Sequence, residues 1–327
     1  MKVLLLSNQH PNKQGVGNPI MHRMQNALKQ NGTIETVEFL PFYNRLSSFI
    51  QIRKKTVKFD IVHIHFGGLY ALLIWISLIG LRTKKFITFH GTDIHAKQLK
   101  TTKNWKKRLK IRLNQKASFL CIRLFDKCGF VAKEMMTYVP NRLKKHLDKK
   151  AFVHPLGVDY DTFKILDKID AQNKLKIPEK KYVLFSDVSN TSIKRRDIAQ
   201  NIVKELGGEY KLLIMCGVKP DEVPLYVNAC DFLLLTSDEE GSPNIIRECL
   251  ALNKPVFSVE VGDAAKQLNG LVNSKIINRD SKVAATEILK CLEIEYTDNT
   301  RTTLKKRLDF RELNKDIVDL YKNVINE

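Results

Sequence analysis

Two glutamates, Glu240 and Glu248, carry the clearest chemistry in the chain, and both lie in the segment EEGSPNIIRE, residues 239–248. Glu240 and Glu248 flank a predicted helix start, for which Ser242 suits the N-cap and Pro243 the first helical position. Open backbone amides and the helix dipole at such a start favour a bound anion such as a diphosphate. If both residues were helical, at ~1.5 Å rise per residue the carboxylates would stand roughly 12 Å apart, beyond the separation that glycoside hydrolases use. The spacing instead suits two hydroxyl clusters with phosphate between them, as in a nucleotide sugar.

The residues around these glutamates resemble a known family. From Val223 to Asp263 the chain contains, in order, an apolar segment of strand length, Ser237, the sequence Glu-Gly-Ser-Pro, the second glutamate and another apolar segment from Pro255. This order is similar to the nucleotide-sugar half of the family 4 retaining glycosyltransferases, especially the branch that builds bacterial capsular, teichuronic and related surface polysaccharides. The resemblance implies an α/β protein with the GT-B fold, in which two Rossmann-like, doubly wound domains face a cleft.

This resemblance assigns roles to the motif. We expect Glu240 to be catalytic by orienting the donor sugar, and Glu248 to bind the donor through its ribose. Four intervening residues are also expected to bind the donor: Gly241, Ser242, Pro243 and Asn244.

A second donor-side motif is VLFSDVSNTSIKRRDIAQ, residues 183–200. It is similar to the phosphate clamp of the same family, in which a lysine and an upstream arginine reach the donor diphosphate. Lys194 matches the lysine, but the upstream segment 188–192 contains no arginine. Arg195 or Arg196 is a candidate substitute, because a guanidinium binds phosphate through two hydrogen bonds. Either arginine could equally be a solvated residue at the start of the next helix.

A glycine pair follows the first apolar segment of the chain. Gly15-Val16-Gly17 precedes a predicted helix at residues 20–30, and glycine allows a ligand to approach the backbone closely. As a pattern the pair is weak, since the full dinucleotide fingerprint is absent. Its position resembles the glycine-rich loop of the family, so Gly15 and Gly17 are expected to contact the donor.

Polar side chains also follow a predicted strand in FITFHGTDIH, residues 86–95. Side chains at the carboxyl ends of strands line the ligand crevice of open α/β sheets. The resemblance places His90 at the reacting sugar, and Asp93 is expected either to contact the acceptor or to cap the next segment. We also expect His63 and His65 on opposite faces of their strand, with His65 near enough to its end to approach the acceptor.

No metal and no cofactor are expected. Asp159 and Asp161 form an Asp-x-Asp pair, which holds a divalent metal in another structural class of glycosyltransferase, but this pair lies in the predicted domain linker. Cationic side chains and a helix start can neutralise a leaving diphosphate, so no metal is required. The expected co-substrate is a nucleotide sugar, linked to UDP or GDP.

Apolar segments of strand length alternate with longer amphipathic segments along all 327 residues, which predicts two domains with parallel sheets. Pro and Gly interrupt this pattern in HPLGVDYDTF, residues 154–163, so we place the domains at 1–155 and 156–309. The resemblance implies that a last helix, about 310–325, packs back on the first domain. The predicted strands are 2–7, 33–40, 60–65, 85–90, 129–132, 151–154, 182–186, 210–216, 231–235 and 255–259.

The net charge of +20 is confined to the first half. Residues 1–156 contain 29 Lys and Arg against 7 Asp and Glu, whereas residues 157–327 contain 26 against 28. The excess peaks between Lys97 and Lys116, a run without an acidic residue. A solvated helix face and nonspecific nucleic-acid binding are open alternatives, although the chain lacks an aromatic-rich nucleic-acid motif and no specific nucleic acid is expected. We favour an anionic membrane surface, because each cation near it is worth about 1 kcal/mol and interleaved Trp105 and Leu109 suit shallow insertion.

The sequence also bears on location. Six cysteines without metal-type spacing predict buried thiols in a reducing compartment, and the N-terminal apolar run is too short for a signal peptide. The longest apolar run, residues 70–81, is too short to span a bilayer and predicts a buried crossover helix. We therefore expect a cytoplasmic protein that lies on the cytoplasmic face of the membrane.

Together with these features, the family resemblance implies a metal-independent retaining hexosyltransferase. It would move a sugar from a nucleoside diphosphate to a saccharide acceptor carried on a polyprenyl diphosphate. Two alternatives stay open, a GT-B nucleotide-sugar epimerase and a non-catalytic basic scaffold that binds lipid or nucleic acid. The epimerase would isomerise a nucleotide sugar without transfer, and the scaffold would show no saturable binding of one.

Overall fold

The structure, a computed structural model, describes residues 1–7, 19–42, 46–96, 99, 102–187, 192–294 and 300–327. Two sets of predicted functional residues lie outside these ranges. They are Gly15 and Gly17 of the glycine pair, and Lys97 and Lys100 at the start of the basic run.

The chain divides into two compact units, one formed by Met1–Leu156 with Phe310–Glu327 and the other by Gly157–Asp309. The first unit contains a six-stranded parallel sheet in the order β2-β1-β3-β4-β5-β6. Its strands are β1 (Lys2–Ser7), β2 (Thr36–Pro41), β3 (Ile61–His65), β4 (Lys84–Phe89), β5 (Lys127–Phe130) and β6 (Ala151–Val153).

Helices cover both faces of this sheet. One face packs against α2 (Leu46–Thr56), α3 (Leu69–Ser77) and α5 (Trp105–Leu124), and the other against α1 (Pro19–Lys29) and the last helix, α14 (Phe310–Asn326). Two shorter helices complete the unit, α4 (Thr92–His95) and α6 (Lys144–Lys150). The four apolar residues of β1 from Val3 to Leu6 are completely buried, as expected for a parallel strand covered on both sides.

The second unit contains a five-stranded parallel sheet in the order β11-β10-β9-β7-β8. Its strands are β7 (Lys181–Ser186), β8 (Tyr210–Met215), β9 (Phe232–Leu235), β10 (Val256–Ser258) and β11 (Lys275–Ile276). One face packs against α8 (Arg196–Glu205) and α12 (Ser281–Leu292). The opposite core contains side chains of α9 (Val223–Ala229), α10 (Asn244–Leu250), α11 (Ala264–Leu268) and α13 (Thr300–Leu308), and α7 (Lys168–Leu175) precedes β7.

Each sheet has a point where the strand order reverses. In the first unit it lies between β1 and β3, and in the second between β7 and β9. In open α/β sheets, ligands bind beyond the carboxyl ends of the strands at such a point. The predicted site residues that follow β3, β4, β7 and β9 therefore sit at the edges where this fold binds ligands.

The predicted strands are present with ends shifted by up to three residues, and the two-residue β11 was not predicted. The crossover helix is less buried than predicted. Its counterpart α3 exposes a row of large apolar side chains, Leu69, Leu73 and Ile76, on the side away from the sheet. The prediction that all six thiols are buried was also wrong for one, because Cys216, just after β8, is exposed.

Within the described ranges, no helix is both long enough and apolar enough to cross a membrane.

Candidate functional site

Lys194 and Glu240 meet at the reversal point of the second sheet. Lys194 ends a short 3-10 turn after β7, and Glu240 lies in the loop after β9. The ammonium of Lys194 donates a hydrogen bond of 2.6 Å to Oε1 of Glu240, and the hydroxyl of Ser237 donates to the same oxygen at 2.8 Å. Both charged side chains are largely buried, at 20% and 15% exposure, so the contact is a partly desolvated ion pair.

The two loops that carry this pair are also bonded through their backbones. The hydroxyl of Thr236 donates to the carbonyl oxygens of Lys194 and Arg195, at 3.0 and 2.9 Å. The amide of Asp238 donates to the carbonyl oxygen of Ile193 at 2.9 Å. Because main-chain and side-chain bonds both join the loops, the position of Lys194 relative to Glu240 is set by the fold.

Arg279, which was not among the predicted site residues, supports the loop after β9 through hydrogen bonds. It follows the short strand β11 and donates to the carbonyl oxygens of Thr236 and Ser237, at 3.3 and 3.0 Å, and to the Asp238 carboxylate at 2.9 Å. The position of Arg279 just after a strand could have indicated its role. The strand was not predicted, because two residues are too few to show an apolar periodicity.

Arg195 contacts carboxylates in the structure. Its guanidinium makes two hydrogen bonds to Asp197, at 3.0 and 2.8 Å, and a longer one to Asp238 at 3.4 Å. Arg196 is exposed at the start of α8. Substitution of either arginine for the missing phosphate-binding arginine stays a prediction.

The helix after Glu240 begins later than predicted. Helix α10 starts at Asn244, Pro243 occupies the N-cap position in an extended conformation, and no side chain caps the helix. Ser242 does not act as the N-cap, because its hydroxyl instead donates to the carboxylate of Asp263 at 2.8 Å and accepts from Arg247. The competing partner is therefore the buried Arg247–Asp263 pair.

That buried pair fixes the loop 241–244 to the loop after β10. The Arg247 guanidinium lies 3.1 Å from Asp263, and both side chains are less than 10% exposed. Burial lowers the pKa of Arg247, and the Asp263 charge opposes this effect. Arg247 also donates to Asn244, so Asn244 has a structural contact in addition to its predicted role. A charged residue on the buried face of an apolar helix was the sequence signal for this pair.

Gly262 allows these two loops to approach closely. It has a left-handed φ of 56°, and a Cβ at this position would lie 2.8 Å from the carbonyl oxygen of Gly241 and 3.2 Å from that of Glu240. Only glycine fits both the backbone conformation and the contact. Glu248 is half-buried on α10, one residue after Arg247.

In the first unit, Asp93 organises the ends of β3 and β4. Its carboxylate accepts hydrogen bonds from the backbone amides of Gly67 and Gly91, both at 2.8 Å, and from the amide of His90 at 3.1 Å. Burial raises the pKa of Asp93, and these amides oppose the shift. Asp93 lies within α4, whose start has no side-chain cap among the described residues, so these contacts join the loops after β3 and β4. Both roles predicted for Asp93 stay predictions.

His90 and His65 lie side by side at the same sheet edge. Nδ1 of His65 is 3.0 Å from Nε2 of His90, so one ring donates and the other accepts. The ring of Phe66 stacks on His90 at 4.1 Å between centroids. The structure thus brings together His90, which was predicted to be catalytic, with His65 and Asp93, the two residues predicted on the acceptor side.

The prediction that His63 and His65 occupy opposite faces of β3 was wrong. Their rings stack at 4.4 Å, because residues two positions apart on a strand point to the same face. His63 is completely buried and bonds the hydroxyl of Tyr321 at 2.5 Å and that of Thr88 at 2.7 Å. This arrangement makes His63 a core residue that links β3 to α14.

The histidines at this edge are held neutral. Burial lowers the pKa of His90 to about 3, with a further contribution from His154, and lowers that of His154 to about 4. Burial also holds the pKa of His63 and His65 well below 6.5. At neutral pH a ring of His90 can therefore donate or accept a hydrogen bond to a hydroxyl but carries no charge.

The Asp159–Asp161 pair forms a turn. Asp159 accepts bonds from the amide of Asp161 at 2.9 Å and from the hydroxyl of Thr162 at 2.7 Å. Within the part of the chain that the structure describes, no three His, Cys, Asp or Glu side chains are placed to hold a metal ion.

Solved structures with a similar fold include several glycosyltransferases. HepE of Anabaena, solved in complex with UDP-glucose, is 15% identical over 99% of this chain and 100% of its own, with a TM-score of 0.74. Sucrose-phosphate synthase of Thermosynechococcus elongatus is 13% identical over all of both chains, with a TM-score of 0.66. A glycosyltransferase from Rickettsia africae is 14% identical over 99% of this chain and 98% of its own, also at 0.66.

No family model and no curated protein matches the chain. The resemblance to family 4 and to its polysaccharide branch therefore stays an expectation. At identities this low the structural similarity establishes the architecture alone. The chain has the two Rossmann-like α/β sheets of the GT-B glycosyltransferase fold.

Proposed function

We propose that this protein is a retaining glycosyltransferase that takes a sugar from a UDP- or GDP-linked donor and transfers it to a saccharide acceptor. The observation that carries the proposal is the contact between Lys194 and Glu240, which are 46 residues apart and were each predicted to act on the donor. HepE, with a similar fold, was solved with UDP-glucose, which supports a donor of this class.

In the proposed reaction the two side chains act on different parts of the donor. Lys194 stabilises the departing diphosphate as negative charge develops, without a metal ion, and Glu240 orients the sugar near its reacting carbon. Because both are partly desolvated, their electrostatic effect is stronger than it would be in water. Glu248 binds the ribose, and Gly241, Ser242, Pro243 and Asn244 make further contacts to the donor.

The proposed acceptor side belongs to the first unit. His90, neutral because burial lowers its pKa to about 3, hydrogen-bonds a sugar hydroxyl rather than contributing charge. The acceptor hydroxyl attacks on the face that the diphosphate leaves, and the leaving phosphate takes its proton. The glycine pair at Gly15 and Gly17 is part of the same proposal for donor contact.

We further propose that the acceptor is carried on a polyprenyl diphosphate and that the protein works at the cytoplasmic face of the membrane in surface-polysaccharide synthesis. Helix α5 supports this part, since Trp105, Leu109 and Leu113 are exposed among its cations. One cation of the run has another role, because Arg108 donates to the carbonyl oxygens of Leu99 and Thr102.

The test begins with a thermal-shift screen against nucleotide sugars to identify the donor. With that donor, Glu240→Gln and Lys194→Ala should each lower turnover by roughly 10²–10³-fold while the fold stays intact, because each removes a preorganised electrostatic contact. The matched control is the ion pair of Lys181 and Glu209, 2.7 Å apart at the amino ends of β7 and β8. Lys181→Ala and Glu209→Gln should leave turnover unchanged.

Two outcomes would contradict the proposal. Near-normal turnover in both Glu240→Gln and Lys194→Ala would remove the catalytic assignment. Conversion of the nucleotide sugar to an isomer without transfer would instead establish the epimerase alternative.

A further inference from the structure

A pocket of about 380 Å³ lies at the carboxyl-terminal end of helix α5. Four lining residues come from α5, Lys116, Phe119, Leu120 and Arg123, and two from the neighbouring 3-10 turn, Arg142 and Leu143. Its apolar floor is formed by Phe119, Leu120 and Leu143, of which Leu143 is fully buried and Leu120 is 40% exposed. Three cations thus surround an apolar floor, and none of the described residues that line the pocket is acidic.

These cations are available to a ligand. In contrast to Arg108, which is bonded to backbone carbonyls, Lys116, Arg123 and Arg142 are exposed and form no ion pair or side-chain hydrogen bond with any described residue. Unpaired arginines beside a lysine suit a phosphate group, which a guanidinium can bind through two hydrogen bonds.

An exposed apolar row leads along α5 to this pocket. Trp105, Leu109, Leu113 and Leu120 are 68%, 49%, 45% and 40% exposed. They recur at spacings that place them on one side of a helix, together with Lys116 and Arg123 of the pocket. A row of this kind suits the boundary between lipid head groups and acyl chains.

We propose that this pocket binds the phosphate of a membrane lipid, with Lys116, Arg123 and Arg142 around the phosphate and the apolar row of α5 inserted beside it. The inference rests on the membrane part of the proposed function and adds a defined head-group site to it. A lipid suits the pocket better than free phosphate, because of the apolar floor of Phe119, Leu120 and Leu143. The acyl chain of a lipid can pack against this floor, whereas a free phosphate gains no contact from it.

The test uses the full-length protein and sedimentation with phosphatidylcholine vesicles that contain either phosphatidic acid or phosphatidylserine at equal surface charge. Phosphatidic acid presents an unshielded phosphate and should be preferred by the wild type. Combined Lys116→Gln, Arg123→Gln and Arg142→Gln should abolish this preference and weaken binding to phosphatidic acid vesicles by about tenfold more than the control variant does.

The control removes the same amount of charge from α5 outside the pocket, through Lys106→Gln, Lys107→Gln and Lys110→Gln, all at exposed positions. Equal losses in the two triple variants would overturn the pocket, because surface charge alone would then explain binding. Displacement of the wild type from vesicles by millimolar inorganic phosphate would identify a site for free phosphate instead.

Failure of this inference is distinguishable from failure of the proposed function. All six substituted residues lie in the first unit, and none belongs to the donor site, so both triple variants should bind the donor as the wild type does. Loss of vesicle binding with donor binding intact concerns the membrane alone. If the wild type bound neither kind of vesicle, the proposed lipid site would be wrong. The transfer reaction would still be tested separately by the turnover assay.

Discussion

The contact between Lys194 and Glu240 shows how single residues acquire a role from their neighbours. Ser237 and Lys194 both donate to one oxygen of Glu240, so that oxygen has a fixed position. Two further residues hold the surrounding backbone, Arg247 through Ser242 and Arg279 through the carbonyls after β9. Both arginines thereby support the loop that carries Glu240.

Gly262 gives the first prediction at this scale. Gly262→Ala should weaken donor binding by about tenfold or more and lower the free energy of unfolding, because the new Cβ would collide with the carbonyl oxygen of Gly241. Gly270→Ala is the matched control, since Gly270 also has a positive φ of 81° but open space around it. In that variant the free energy of unfolding should fall by only roughly 1–2 kcal/mol, the cost of placing an alanine in the left-handed conformation. Isothermal titration and urea unfolding measure both effects, and equal donor affinities would contradict the prediction.

At the scale of elements, the order of parallel strands decides which residues meet. Lys194 follows β7 and Glu240 follows β9, and these strands are neighbours although β8 lies between them in sequence. In the first unit the neighbours are the consecutive strands β3 and β4, whose pairing brings His65 to His90. Both candidate sites thus arise from adjacent carboxyl ends of one sheet.

The buried histidines of the first sheet make stability depend on pH. In the unfolded chain a histidine has a pKa near 6.5, whereas in the fold that of His90 is about 3 and that of His154 about 4. As the pH falls below 6.5, the unfolded chain binds protons that the folded unit does not. The free energy of unfolding should therefore decrease by about 1.4 kcal/mol per pH unit for each such histidine down to about pH 4.

Urea unfolding of the first unit between pH 7 and pH 5 measures this slope. His154→Gln should make the slope shallower, because it removes one of the groups that titrates only in the unfolded chain. An unchanged slope in His154→Gln would contradict the assignment.

At the scale of the whole molecule, the last helix belongs to the unit that the chain begins. Helix α14 packs with α1 on the first sheet and buries Ile317, Val318, Tyr321 and Val324. At about 1.5–3 kcal/mol per buried side chain, this contribution is comparable to the ~5–15 kcal/mol stability of a domain. The second unit is formed by one continuous segment, Gly157–Asp309.

Deletion of residues 310–327 should therefore unfold the first unit and leave donor binding by the second unit measurable. Circular dichroism and nucleotide titration test the two halves of this expectation. Lys315→Ala and Lys322→Ala change only exposed ion pairs of the same helix and should have little effect. A truncated chain that keeps the cooperative unfolding of both units would contradict it.

The sequence alone determined the fold class, the approximate strands and the motif around Glu240, because these depend on local apolar periodicity and on residue types close together in the chain. It failed where long-range partners compete with local preference. Ser242 has the chemistry of an N-cap but bonds to the buried Arg247–Asp263 pair, and the short β11 that positions Arg279 has no pattern of its own. Only the tertiary structure decided that Lys194 meets Glu240 and that Tyr321 meets His63, because strand order and helix packing bring together residues far apart in the chain.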